Sequence, residues 1–196
     1  MKKERNIMKK QYTKKDLIMA PMPVLVIGTY DEDGVPNAMT AAWGTQCDMD
    51  KITIFLSNHK TTDNLKLKKA FTVAFATKET LVESDYFGIE SGKGINKIKK
   101  AGFHTRKSEF VDAPVIDEYP VTIECEVLKL EDDDGDYRLV GKVVNVVAEE
   151  FALDENGRVD LDKLNLISYD SVTHSYRLLG GLVGRAFRDG LTIKNK

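Results

Sequence analysis

Between Pro21 and Leu65 the chain lays down three strand-like segments with only short polar breaks between them. PVLVIGTY is almost wholly apolar and rich in β-formers, DEDG reads as a turn, NAMTAAWGT resumes an extended pattern, and KITIFLS follows. Parallel neighbours need a crossover of a dozen or more residues, and the DEDG break has no room for one, so these strands are expected to pair antiparallel. More strands come later. FTVAFAT spans Phe71 to Thr77, VTIECEVLKL alternates Val121, Ile123, Cys125 and Val127 against Thr122, Glu124 and Glu126, and RLVGKVVNVVAEEFAL is its expected pairing partner across the acidic turn EDDDGDY. A short helix is expected from Thr62 to Lys69. The pattern is also helical from Lys78 to Ala101, where apolar residues fall at 81, 82, 86, 87 and 89 and Gly102 reads as a C-cap. LDKLNLISYD reads as a short helix or an irregular segment. Six or seven strands, many joined by tight turns and interrupted by inserted helices, predict a mainly β chain folded as a closed or partly closed antiparallel barrel.

Composition narrows the functions open to such a barrel. Hydrophobic residues make up 42% and charged residues 31%, a balance for a globular domain. A formal net charge of −2 argues against nucleic acid as the main partner. No apolar run approaches the ~20 residues of a membrane helix, and no signal-peptide core follows the basic N-terminus, so the chain is expected to be cytoplasmic. Residues 1–16 read as a flexible basic arm and residues 17–196 as one domain. Cys47 and Cys125 are far apart and form no CxxC pair, which leaves two inert or buried thiols as the plainer expectation. His59, His104 and His174 are scattered, and no metal set or nucleophilic constellation can be assigned.

Two segments carry ligand chemistry. In NAMTAAW, small residues around Asn37, Ala38, Met39 and Thr40 would let a planar ring approach the backbone, and Trp43 offers an aromatic contact. In SNHKTTDN, Lys60, Thr61 and Thr62 stand where a helix begins, with Ser57 and His59 just before them. A cation and hydroxyls at a helix N-terminus suit a phosphate. Each segment has a plainer alternative, a core strand with a buried tryptophan and an ordinary helix cap. Together they point to flavin mononucleotide (FMN).

The order of PMPVLVIGTYDEDGVPNAMTAAW, SNHKTTDNLKLKKAFTVAFAT, SGKGINKIKKAGF, APVIDEYPVTIECEV and SYRLLG resembles the flavin reductase-like family, and within it the flavoredoxin-type branch. The resemblance covers about Pro21 to Phe187. It implies an FMN-binding split β-barrel, a homodimer, and FMN close to the dimer interface. Carried over by position, it implies Asn37, Ala38, Met39 and Thr40 along the ring with Trp43 nearby, Ser57, Lys60, Thr61 and Thr62 at the phosphate, and Ser91 and Lys97 reaching the flavin from the insertion. No side-chain catalyst is implied, because hydride passes from NAD(P)H directly to flavin. The functions allowed are an NAD(P)H-dependent flavin reductase acting on small redox substrates, an electron carrier serving a redox protein, or a non-catalytic FMN-binding protein. The first is the expected one.

Overall fold

The structure is a computed structural model that describes residues 9–14 and 19–194, so the arm expected over 1–16 lies largely outside the described residues. Its strands are β1 (Met22–Pro23), β2 (Leu25–Tyr30), β3 (Pro36–Ala41), β4 (Gly44–Asp48), β5 (Lys51–Ser57), β6 (Ala70–Phe75), β7 (Thr105–Lys107), β8 (Pro114–Ile116), β9 (Val121–Asp133), β10 (Asp136–Ala148), β11 (Ile167–Asp170) and β12 (Ser175–Leu178). The helices are α1 (Lys60–Lys68), α2 (Leu81–Ile89), α3 (Lys97–Lys100) and α4 (Leu191–Lys194). One seven-stranded antiparallel sheet runs β3-β2-β6-β9-β10-β5-β4, and its two edge strands, β3 and β4, are consecutive in the chain. The sheet therefore curls toward closure without a ladder joining its ends, as expected for a split barrel.

The period-2 pattern explains the curl. Alternate residues of each strand point inward: Leu25 and Ile27, Met39, Ile54 and Leu56, Phe71 and Val73, Cys125, and Tyr137 and Leu139 form one buried cluster, and Leu65 of α1 joins it. The opposite faces of β2, β3 and β6 present Val26, Ala38 and Ala74 outward, where Phe87 of α2, Ile98 of α3, Ile116 and Tyr119 cover them. The helical insertion is thus an outer layer on the barrel wall next to β3. The β9–β10 hairpin turns through Asp134 and Gly135, both at positive φ (53° and 90°), as the acidic segment predicted.

Three expectations change. NAMTAAWGT is not one strand: β3 ends at Ala41, Trp43 lies in a bend, and the chain restarts as β4 paired with β5. The physical reason is at Gly44, where a Cβ would lie 2.7 Å from Leu25 Cδ1. The backbone crosses close to the core there, and Trp43 turns outward, 64% exposed. The stretch LDKLNLISYD opens with the expected short helix, a 3-10 turn at Leu161–Lys163, but ends in a strand, β11, which pairs with β1 and β12. The APVIDEYP stretch supplies β8, paired with β7. This segment packs on β2 and β6, where Thr72 Oγ1 donates to Pro114 O at 2.6 Å; on β9, Thr122 and Glu124 are both buried, and Asn145 Nδ2 donates to Glu124. Cys125 is buried and its thiol is pushed up to about 12, by burial and by the Glu124 charge, whereas Cys47 is exposed.

Gly141 makes the tight core possible. At a register shift in β9–β10, a Cβ on Gly141 would stand 2.4 Å from Phe71 Cζ. Gly141→Ala is expected to lower stability by about 1–3 kcal/mol through overpacking, measured by urea unfolding; an unchanged midpoint would show that Phe71 can move aside.

Candidate functional site

The barrel's open seam meets the N-terminus of α1. The helix begins at Lys60, two residues before the expected start, with His59 as its N-cap in extended conformation. Thr61 and Thr62 are therefore not caps but part of the first turn, and both are buried. Thr62 Oγ1 accepts the His59 N–H at 2.9 Å and donates to His59 O at 2.6 Å, closing the entry to the helix. The Thr62 and Asp63 N–H groups donate to His59 O at 3.0 and 3.3 Å, whereas the N–H groups of Lys60 and Thr61, ahead of them, have no acceptor one turn back, and the positive end of the helix dipole lies there.

Thr61 points sideways to β3. Asn37 Nδ2 donates to Thr61 Oγ1 at 2.9 Å, a buried bond that ties the edge strand to the helix. Asn37 is 3% exposed, and its Oδ1 is left without a partner. Gly92 lies directly against this oxygen: a Cβ there would be 2.2 Å from Asn37 Oδ1 and 3.3 Å from Lys60 Cδ. Asn37, Lys60, Thr61 and Gly92 thus converge from three elements. Lys60 Nζ makes an ion pair with Asp31 Oδ2 at 2.9 Å, and both side chains are partly buried. Burial alone would raise the Asp31 carboxyl, but hydrogen bonds from Lys60 and from the Val35 and Asp33 N–H groups, with the charge of Lys60, hold it below its ordinary value.

From His59 the surface continues into a hollow of about 130 Å³ lined by Met39, Thr40, Ala41, Ala42, Trp43, Phe55, Leu56, Ser57 and His59. Because β3 is an edge strand, one row of its N–H and C=O groups has no ladder partner. Ala41 and Ala42 leave room over the backbone, and Met39, Trp43, Phe55, Leu56 and His59 are the larger side chains around it. A flat heteroaromatic ring with polar edges can lie here and extend outward beside Trp43, with a phosphate-bearing tail running past Asn37 to the start of α1. The unpartnered Asn37 Oδ1 can accept from a hydroxyl of that tail. The donor set fits FMN.

The residues named from sequence divide by position. Met39, Thr40, Trp43 and Ser57 line the hollow, and Asn37, Lys60 and Thr61 form the helix end of the site. Ala38 faces away, into the cluster under Phe87, and Thr40 Oγ1 donates to Ser84 O, so both can meet a ring only through backbone. Ser57 Oγ donates to Asp136 Oδ1 at 2.8 Å. Ser91 is exposed, and its Oγ accepts the Lys93 N–H at 3.3 Å. Lys97 is buried, and its Nζ donates to Phe87 O and Glu90 O at 2.9 Å each, satisfying carbonyls at the end of α2 rather than reaching the hollow. Burial lowers this ammonium to about 8, opposed by the Glu90 charge and helped by that of Lys60. Asp31 and Gly92 are candidate site residues that the sequence pattern did not single out.

The family model described as flavin reductase like domain matches residues 19–168. The chain belongs to the flavin reductase-like family, and the fold is that family's split barrel. It is similar to the flavoredoxin of Desulfovibrio vulgaris (Miyazaki F), at 28% identity and a TM-score of 0.88, over 93% of this chain and 100% of that one. A flavoredoxin from Methanosarcina acetivorans superimposes with a TM-score of 0.86 at 23% identity, over 95% of this chain and 100% of that one. An FMN-binding protein from Thermus thermophilus, with bound 1-cyclohex-2-enone, shares the fold at 20% identity and a TM-score of 0.74, over 92% of this chain and 99% of that one. No described helix is long and apolar enough to cross a membrane.

Thr61→Ala would leave the buried Asn37 amide without its acceptor. The expected cost is about 1–3 kcal/mol of stability, together with weaker flavin binding, whereas Thr61→Ser should retain both. Paired thermal unfolding and flavin titration of the two variants check this; equal behaviour of alanine and serine would show that the bond does not matter.

Proposed function

We propose that the chain is an FMN-binding oxidoreductase that takes electrons from NAD(P)H. The observation that carries this is the buried, unpartnered Asn37 Oδ1, set between the N-terminus of α1 and the hollow beside Trp43. A buried acceptor without a donor costs free energy unless a ligand supplies one. When bound, FMN supplies the redox chemistry, accepting a hydride and releasing electrons to an acceptor. The chain's own residues bind and orient. The first turn of α1 and Lys60 hold the phosphate, Asn37 takes a hydroxyl of the tail, and the backbone of Met39 to Ala42 takes the polar edge of the ring. Trp43 limits the ring on one side and leaves the other side open for a nicotinamide. Membership of the flavin reductase-like family supports the same reading.

A homodimer belongs to this proposal. An apolar groove of about 1090 Å³ adjoins the hollow, walled by Pro21, Ile52, Phe55, Phe75 and Val146, and Trp43 lines both. A second copy across the groove would bury these side chains and cover the outer side of the ring site. Sedimentation is expected to give twice the chain mass of 22.0 kDa, and Trp43→Asp, placed on an exposed residue, should shift it to the single-chain mass. A wild-type chain that sediments as a monomer would contradict the dimer and leave the flavin site standing.

The activity is tested by anaerobic addition of NADH or NADPH to the FMN-loaded protein. Loss of the oxidised-flavin absorbance with one or both, within seconds to minutes, is the expected result. If the absorbance falls only when a reduced protein donor is added, the chain is an electron carrier, the second function open to this site. Stable absorbance with every donor leaves FMN binding without catalysis.

A further inference from the structure

The phosphate end of the site has an unusual charge balance. Lys60 supplies a cation there, but a carboxylate stands beside it: Asp31 pairs with Lys60 at 2.9 Å. Asp31 is also fixed in place. Its Oδ1 accepts from the Val35 N–H at 2.8 Å and the Asp33 N–H at 3.2 Å, so the β2–β3 turn holds the carboxylate against the lysine. Their side chains are 15% and 24% exposed, so water screens the pair only in part.

An anion arriving at the start of α1 meets this arrangement. It must either draw Lys60 away from Asp31 or settle beside a carboxylate that cannot withdraw. Both lower its affinity relative to a site with a free lysine. We propose that Asp31 is an electrostatic brake on flavin retention: it competes with the FMN phosphate for the Lys60 ammonium and keeps FMN exchangeable. The inference rests on the FMN reading above and adds to it the residue that sets how tightly FMN is held. The unpartnered Asn37 Oδ1 beside Lys60 is the independent sign that a ligand occupies this end of the site.

The test is calorimetric titration of the full chain with FMN and with riboflavin, which has the same ring and tail but no phosphate. Asp31→Asn keeps Oδ1 as the turn's acceptor and removes only the charge. Asp31→Ser keeps a short hydroxyl acceptor and guards against a fault peculiar to the amide. Both variants, checked for a wild-type-like unfolding transition, are expected to bind FMN about tenfold more tightly and riboflavin within about twofold of wild type, as for removal of one like charge a few ångströms from the phosphate. FMN affinity that is unchanged would show that no competition exists. FMN affinity that falls would show that Asp31 orients Lys60 for the phosphate, which overturns the proposal in the opposite direction. Tighter binding of both flavins alike would place the effect outside the phosphate and also overturn it. Wild-type protein that binds neither flavin overturns the FMN reading itself, an outcome separate from all of these.

Discussion

The buried hydrogen bond from Asn37 Nδ2 to Thr61 Oγ1, 2.9 Å long, is the constraint on which the site depends. It joins the edge strand of an unclosed barrel to the first turn of a helix. An edge strand has no ladder on one side and an N-terminal turn has free N–H groups, so either would be loosely placed alone. Bonded together, they hold two features at a fixed separation: a row of β3 backbone groups without a ladder partner and a positive helix end at α1. Such a bond contributes only about 1 kcal/mol net, but breaking it strands a buried amide, and that asymmetry makes the arrangement rigid.

The rest of the fold supports this junction. Leu65 anchors α1 into the barrel interior, and Phe87 and Ile98 press on the outer face of β3 through Ala38. Lys97 stabilises the end of α2 by donating to two carbonyls, and the chain leaving α2 carries Gly92 against Asn37. A side chain at position 92 would collide with the Asn37 oxygen, so the absence of a Cβ there is part of the site. The inserted helices are thus the wall that fixes how closely the chain approaches Asn37 and the start of α1.

Much of this was legible in the sequence where a local pattern carried it. Apolar and alternating runs located the strands of the main sheet other than β4, Asp134 and Gly135 marked the long hairpin, and Gly102, at a φ of 78°, closes α3 as a cap. Lys60 and Thr61 were identifiable because a cation and a hydroxyl stand next to a helix start. Other features depend on contacts between distant segments. Trp43 looked like a strand residue because nothing local shows that Gly44 must pass close to Leu25. The strands β8 and β11 are short, and neither pattern nor length separates them from loop. Asp31 lay within an ordinary turn motif, and its ion pair with Lys60 spans 29 positions. Lys97 carried a charge suited to a ligand, yet the ends of α2 claim it, which only the tertiary structure reveals.

The central claim is that one FMN lies across the junction, with its ring beside Trp43 and its phosphate at α1. Trp43 is the chain's one tryptophan, so its emission reports on this place alone. Titration with FMN, followed by tryptophan fluorescence, is predicted to quench the emission saturably with an end point of one FMN per chain. Emission that stays constant while FMN binds, or that falls without saturating, would place the flavin elsewhere and contradict the account.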